Sequence, residues 1–185
     1  MTAPVIQTTD VLIVQAAEPR PVDTRTSKHC IYFSWLERNT DLTEHVLENS
    51  GATETVHTFP YYLSQAATSY LAKGAHVLIS SQTPNNPDES GVFVSNASRF
   101  VDLAKTAATN AEVDYVDHNA YTLAAYKALP VRTVDGYFPN DHTHTAPQGA
   151  DLVAKAFIRG LVCGGSLLGN YVKNGTKEIE GACLK

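Results

Sequence analysis

What most constrains this chain is an alternation of helical and strand-like segments that begins near residue 57. One helical segment opens at Pro60, carries Leu63, Ala66, Ala67, Tyr70 and Leu71 on one face, and ends at Gly74. The apolar run Val77-Leu78-Ile79 reads as a buried strand and passes into the turn-rich Gln82-Thr83-Pro84-Asn85-Asn86-Pro87. A second helical segment takes Asn96 as its cap and turns Ala97, Phe100, Val101, Ala104 and Ala108 inward. Val113 to Val116 then reads as a strand and Ala120 to Leu129 as a helix. Far upstream, Val11-Leu12-Ile13-Val14 has the composition of one more buried strand. Short apolar strands alternating with amphipathic helices predict an α/β fold, a three-layer α/β/α sandwich around a parallel sheet.

The N-terminal part does not share this order. Between residues 15 and 56 no period is sustained, and the stretch holds Pro19, Pro21 and the single tryptophan, Trp35. Structureless segments beyond about 15 residues are uncommon in compact domains. The chain therefore divides into an atypical segment, 1–56, irregular apart from the strand at 11–14, and the C-terminal part of an α/β domain, 57–185.

Charge and composition remove several function classes. The formal net charge is −5 and Lys and Arg are scattered singly, so no cationic surface is predicted that could track phosphates, and nucleic acid is not an expected partner. No run approaches 18 apolar residues, and the start MTAPVIQTTD has neither a basic nor an apolar signal region. Neither a membrane span nor a signal peptide is expected in the chain as written, and a monomer is. The cysteines point elsewhere. A bond between Cys163 and Cys183 would stabilise by about 3 kcal/mol through loop closure and would indicate an oxidising compartment. Two reduced thiols are the alternative, and Cys30 lacks a partner in either case. Asn96-Ala97-Ser98 and Asn174-Gly175-Thr176 fit the N-glycosylation pattern at Asn96 and Asn174.

The last helix is the best specified. Thr145 and Gln148 form a capping-box pattern, Pro147 suits the first turn, and Ala150, Val153, Ala154, Phe157, Ile158 and Leu161 follow helical spacing. Directly ahead lies Asp141-His142-Thr143-His144, in the kind of loop where chemistry collects in open parallel sheets. Three readings compete. His142 and His144 with Asp141 could hold a metal, Asp117-His118 supplying a further ligand. A solvated loop could do no more than satisfy helix N–H groups. In the third, Asp141 orients His144, which serves a serine as base.

The segments "HTFPYYL", "AKGAHVLISSQTPNNP", "VDYVDHNAY" and "YFPNDHTHTAPQGADLVAKAF", with the cysteine-bracketed tail, together resemble fungal rhamnogalacturonan acetylesterases of the SGNH (GDSL-like) hydrolase superfamily. The resemblance runs in order over residues 54 to 184. It implies a flavodoxin-like sandwich, a secreted serine carbohydrate esterase acting on an acetylated polysaccharide, no cofactor and no metal. By it, Asp141 and His144 match the catalytic acid and histidine, and Cys163 and Cys183 match a disulfide. Its nucleophile stands in a Gly-Asp-Ser block after the first strand, and this chain contains no Gly-Asp-Ser. Neither oxyanion donor of the family can be placed, because Val11–Val14 runs into Gln15-Ala16-Ala17-Glu18. A fold incomplete at its N-terminus, truncated or altered before residue 54, is the expectation, and with it an inactive chain. A non-catalytic carbohydrate-binding relative and, more remotely, a small metal-binding α/β protein are the alternatives.

Overall fold

The computed structural model describes residues 11–15, 43–47, 53–95, 97–130, 132–172 and 181–184. Cys30, Trp35, Asn96 and Asn174 lie outside the described residues. The elements run β1 (Val11–Gln15), β2 (Thr43–Leu47), β3 (Thr53–His57), α1 (Phe59–Leu71), β4 (His76–Ser80), α2 (Arg99–Asn110), β5 (Asp114–Val116), α3 (His118–Lys127) and α4 (Pro147–Cys163). β1, β4 and β5 form a parallel sheet in that order, with Val11 opposite His76 and Leu78 opposite Asp114. β2 and β3 pair separately as an antiparallel hairpin. That hairpin falls where the sequence showed no period, because Thr-Glu-His-Val-Leu and Thr-Glu-Thr-Val-His are too polar to read as buried strands.

The strand period of two generates the layers. Along β4, Val77 and Ile79 face one side and pack with Ala67 of α1 and Ala104, Ala107 and Ala108 of α2. Leu78, between them, faces the other side and meets Val116 of β5 and Leu161 of α4. The expected α/β/α sandwich is what forms. On the first face, α1 and α2 are joined by the Ser64 hydroxyl donating to the Ala107 carbonyl at 3.1 Å and by an edge-on Phe59–Phe100 pair at 5.0 Å. Gly74, at φ +84°, ends α1 in the left-handed region as the sequence suggested.

Several local expectations change. Tyr70 and Leu71 are exposed rather than inward, and so is Ala97. Ser98, not Asn96, caps α2 by accepting from Phe100 N at 3.3 Å. α3 begins at His118, two residues earlier than its apolar pattern suggested, because Asp117 caps it. The Thr145–Gln148 capping box does not form: Ala146 occupies the N-cap with no side-chain bond, and Pro147 starts α4 unaided. On α4, Leu161 is buried and Val153 and Phe157 pack against the core as their spacing suggested, Gly149, Ala156 and Gly160 are buried beside them, and Ala150 and Ala154 face solvent. The glycines allow close approach. A Cβ on Gly160 would lie 2.8 Å from Val116 Cγ1 and 2.9 Å from the Tyr121 ring; one on Gly149 would lie 2.9 Å from both Thr145 Cβ and Tyr137 Cβ.

Cys163, the last residue of α4, is bonded to Cys183, which fixes the end of the chain against the fold. Beside it, Leu184 N donates to the Tyr121 hydroxyl at 3.3 Å.

Candidate active site

The loop ahead of α4 is organised by one carboxylate. Asp141 Oδ1 accepts from the backbone N–H of Thr143 and of His144, both at 2.7 Å, which bends residues 141–144 into a tight turn. The turn brings His144 Nδ1 to Asp141 Oδ2 at 2.8 Å. Those contacts, led by the His144 backbone N–H, then its ring and then Thr143 N–H, hold the Asp141 carboxyl well below the usual carboxylate range. With Nδ1–H donating to the carboxylate, the imidazole is fixed in the tautomer whose Nε2 can accept a proton. The His144 side chain is 81% exposed and Asp141 42%. Nε2 has no partner among the described residues.

The other histidines and serines are placed differently. His142 meets its surroundings through its carbonyl, which accepts from Asn86 N at 2.7 Å. His118, which the metal reading had enlisted with Asp117, is buried, and its Nε2 donates to the Val153 carbonyl at 2.9 Å. Burial lowers its pKa against the opposing pull of that carbonyl. Among the described residues no three His, Cys, Asp or Glu side chains gather as a metal would require.

Ser80 ends β4 and Ser81 follows it, and both are buried. The Ser80 hydroxyl donates to its neighbour's carbonyl at 3.0 Å. The Ser81 hydroxyl donates toward Asp117 Oδ1 at 3.4 Å and accepts from Asn119 N at 3.0 Å, which ties β4 to the start of α3. Both hydroxyls serve the fold.

Polar residues that the sequence marked only as a turn surround the loop. Asn85 Oδ1 accepts from the Thr143 hydroxyl at 3.2 Å, and Asn86 Nδ2 donates to Asp135 Oδ1 at 2.7 Å. The signal that could have found them is the flanking prolines of Pro84-Asn85-Asn86-Pro87, which stiffen a polar turn. An open cleft of about 500 Å³ runs along the first turns of α4, lined by Tyr137, Gln148 and Leu152 and by the Asp151–Lys155 ion pair at 2.7 Å.

No protein-family model matches the chain. Over 135 residues it is 50% identical to the rhamnogalacturonan acetylesterase of Emericella nidulans, a match covering 73% of this chain and 54% of that protein. It is 29% identical over 114 residues to YesY of Bacillus subtilis, named a probable rhamnogalacturonan acetylesterase, covering 59% and 52% of the two chains. The chain thus spans about half the length of the curated relatives it matches. Among solved structures, the crystal structure of the Bacillus subtilis protein YXIM superimposes with a TM-score of 0.52 at 21% identity, over 58% of this chain and 31% of that one, a likeness of fold. The resemblance to fungal rhamnogalacturonan acetylesterases read from the sequence therefore rests on extended alignment as well as on motifs.

Proposed function

From this kinship we propose that the chain carries the acid–base half of a serine O-acetyl esterase for an acetylated pectic polysaccharide, with His144 as general base and Asp141 as its orienting carboxylate. One observation carries the reading: Asp141 Oδ2 accepts a hydrogen bond from Nδ1–H of a solvent-facing imidazole at 2.8 Å. In such a reaction the serine hydroxyl attacks the acetyl carbonyl as its proton passes to Nε2, and Asp141 stabilises the imidazolium that results. The same proton then goes to the departing sugar oxygen. Water, activated by the same nitrogen, releases acetate and frees the serine.

The names of two relatives support the substrate class, and the Cys163–Cys183 bond supports an oxidising, extracellular setting. The sequence contains no Gly-Asp-Ser block, and Ser80 and Ser81 are committed to the fold. The chain by itself is therefore expected to release acetate from an activated acetyl ester no faster than buffer. Turnover that His144→Ala abolished would retire the half-site reading. The positive arm is a chimaera in which an N-terminal portion bearing the family's Gly-Asp-Ser block precedes residue 54. It should deacetylate acetylated rhamnogalacturonan, and His144→Ala should cost it at least about a thousandfold in rate. Binding of the polymer without turnover by the chimaera would instead favour the non-catalytic carbohydrate-binding alternative.

A further inference from the structure

An exposed pair three positions apart on an irregular loop holds its geometry weakly by itself, because solvent screens the attraction and side-chain entropy opposes it. The Asp141–His144 pair is of that kind, and what steadies the backbone beneath it comes from a distant part of the chain. Asn86 makes three bonds at once: its N–H donates to the His142 carbonyl at 2.7 Å, its Nδ2 donates to Asp135 Oδ1 at 2.7 Å, and its Oδ1 accepts from Asp88 N at 3.0 Å. Asn85 adds a fourth, accepting from the Thr143 hydroxyl at 3.2 Å.

We propose that Asn86, seconded by Asn85, is the positioning residue of the pair: it clamps the loop after β4 to the stretch from Asp135 to Thr143 and holds residues 141–144 in the turn that presents the carboxylate to the imidazole. The chemistry requires an amide. Asp135 needs a donor and Asp88 N needs an acceptor, and only a side chain with both can serve them together. An alanine at 86 supplies neither, and an aspartate would set a second carboxylate against Asp135. Pro87 restricts Asn86 to an extended backbone, so the direction of its N–H is set before the contact forms. The functional meaning of the clamp rests on the esterase reading above; its geometry does not.

The test reads the pair directly. Ring-nitrogen chemical shifts of His144, recorded by nuclear magnetic resonance on the purified chain at about pH 8.5, distinguish a ring held as Nδ1–H from one exchanging between tautomers. The wild-type ring should show the single Nδ1–H form. Asn86→Asp should lose that signature in favour of a mixture. The exchange variant Asn86→Asp with Asp135→Asn restores donor and acceptor with their roles reversed and should recover it, a rescue that general loosening of the loop would not give. Asn85→Ala should produce a smaller loss in the same direction. An unchanged His144 signature in both Asn86→Asp and Asn85→Ala, or an exchange variant no closer to wild type than the single one, would overturn the proposal. Should Asn86→Asp fail to fold, Asn85→Ala and the exchange variant decide the matter. No ester is turned over in this experiment, so a chain without esterase chemistry leaves the result standing, and a failed clamp leaves the esterase reading standing.

Discussion

Two aspartate–histidine groupings sit at loop–helix junctions of this molecule, and they use the same side chains for different ends. At the first, Asp117 follows β5 and spends Oδ1 on Ala120 N at 2.9 Å, capping α3. Its neighbour His118 is 6% exposed, bonded to the Val153 carbonyl and set edge-on to Phe157 at 5.3 Å. At the second, Asp141 folds its own loop with one oxygen and orients His144 with the other, leaving the ring in solvent. The first grouping joins α3 to α4 through a buried ring; the second keeps its ring in solvent, where Nε2 is open to chemistry. Composition of a motif does not separate such cases. The exposure of the imidazole does.

Substitution should separate them most sharply in stability. His118→Ala removes a buried ring together with its bond to Val153, and urea unfolding should register a loss of about 3 kcal/mol. His144→Ala, on the exposed side, should leave the thermal midpoint within about 2 °C. Equal losses from the two would break the comparison.

A smaller effect is expected where the first grouping reaches into the sheet. Ser81→Ala leaves Asn119 N without its acceptor and weakens the hold on Asp117, which should cost about 1–2 kcal/mol in the same unfolding measurement. Ser80→Ala, which gives up only a bond to the adjacent residue, should cost less.

The smallest and most discriminating effect is the dependence on pH. Burial lowers the pKa of His118 in the fold, so the unfolded chain binds the proton first, at its ordinary value of about 6.5. Stability is therefore full above that value and declines as pH falls below it. Asp141 is depressed instead; its contribution is present above the ordinary aspartate value of about 3.9, is lost as pH falls further, and is small because solvent screens it. Urea midpoints should fall between about pH 7 and pH 5 in the wild type and flatten over that window in His118→Gln, whose amide can still donate to Val153. A slope retained in His118→Gln but lost in His144→Ala would reverse the two assignments.

What the sequence made legible follows the strength of its physical signals. β4 could be read because three consecutive apolar residues between turn signals are hard to place elsewhere, and the spacing of Asp141 and His144 admitted the pairing that forms. Contacts made by groups that carry no hydrophobic signal could not. The packed face of α4 is legible at Val153, Phe157 and Leu161 but not at Gly149 and Gly160, which make close contact without contributing to an apolar pattern. The capping box matched by spacing, yet Pro147 made a side-chain cap dispensable. Asn85 and Asn86 read as a turn because their partners, Asp135, His142 and Thr143, lie some 50 residues away in the chain.

The two glycines of α4 also act on alignment. Gly149 and Gly160 are eleven residues apart, about 16 Å along the helix axis, and each seats the helix where even one methyl group would not fit. The helix behaves as a beam resting in two notches, with His144 fastened just beyond one end. A methyl group at the far notch, as in Gly160→Ala, would press on Val116 Cγ1 and the Tyr121 ring. A residue in contact with β5 and α3 thus limits how closely α4 is seated, and α4 is the helix that begins just after His144.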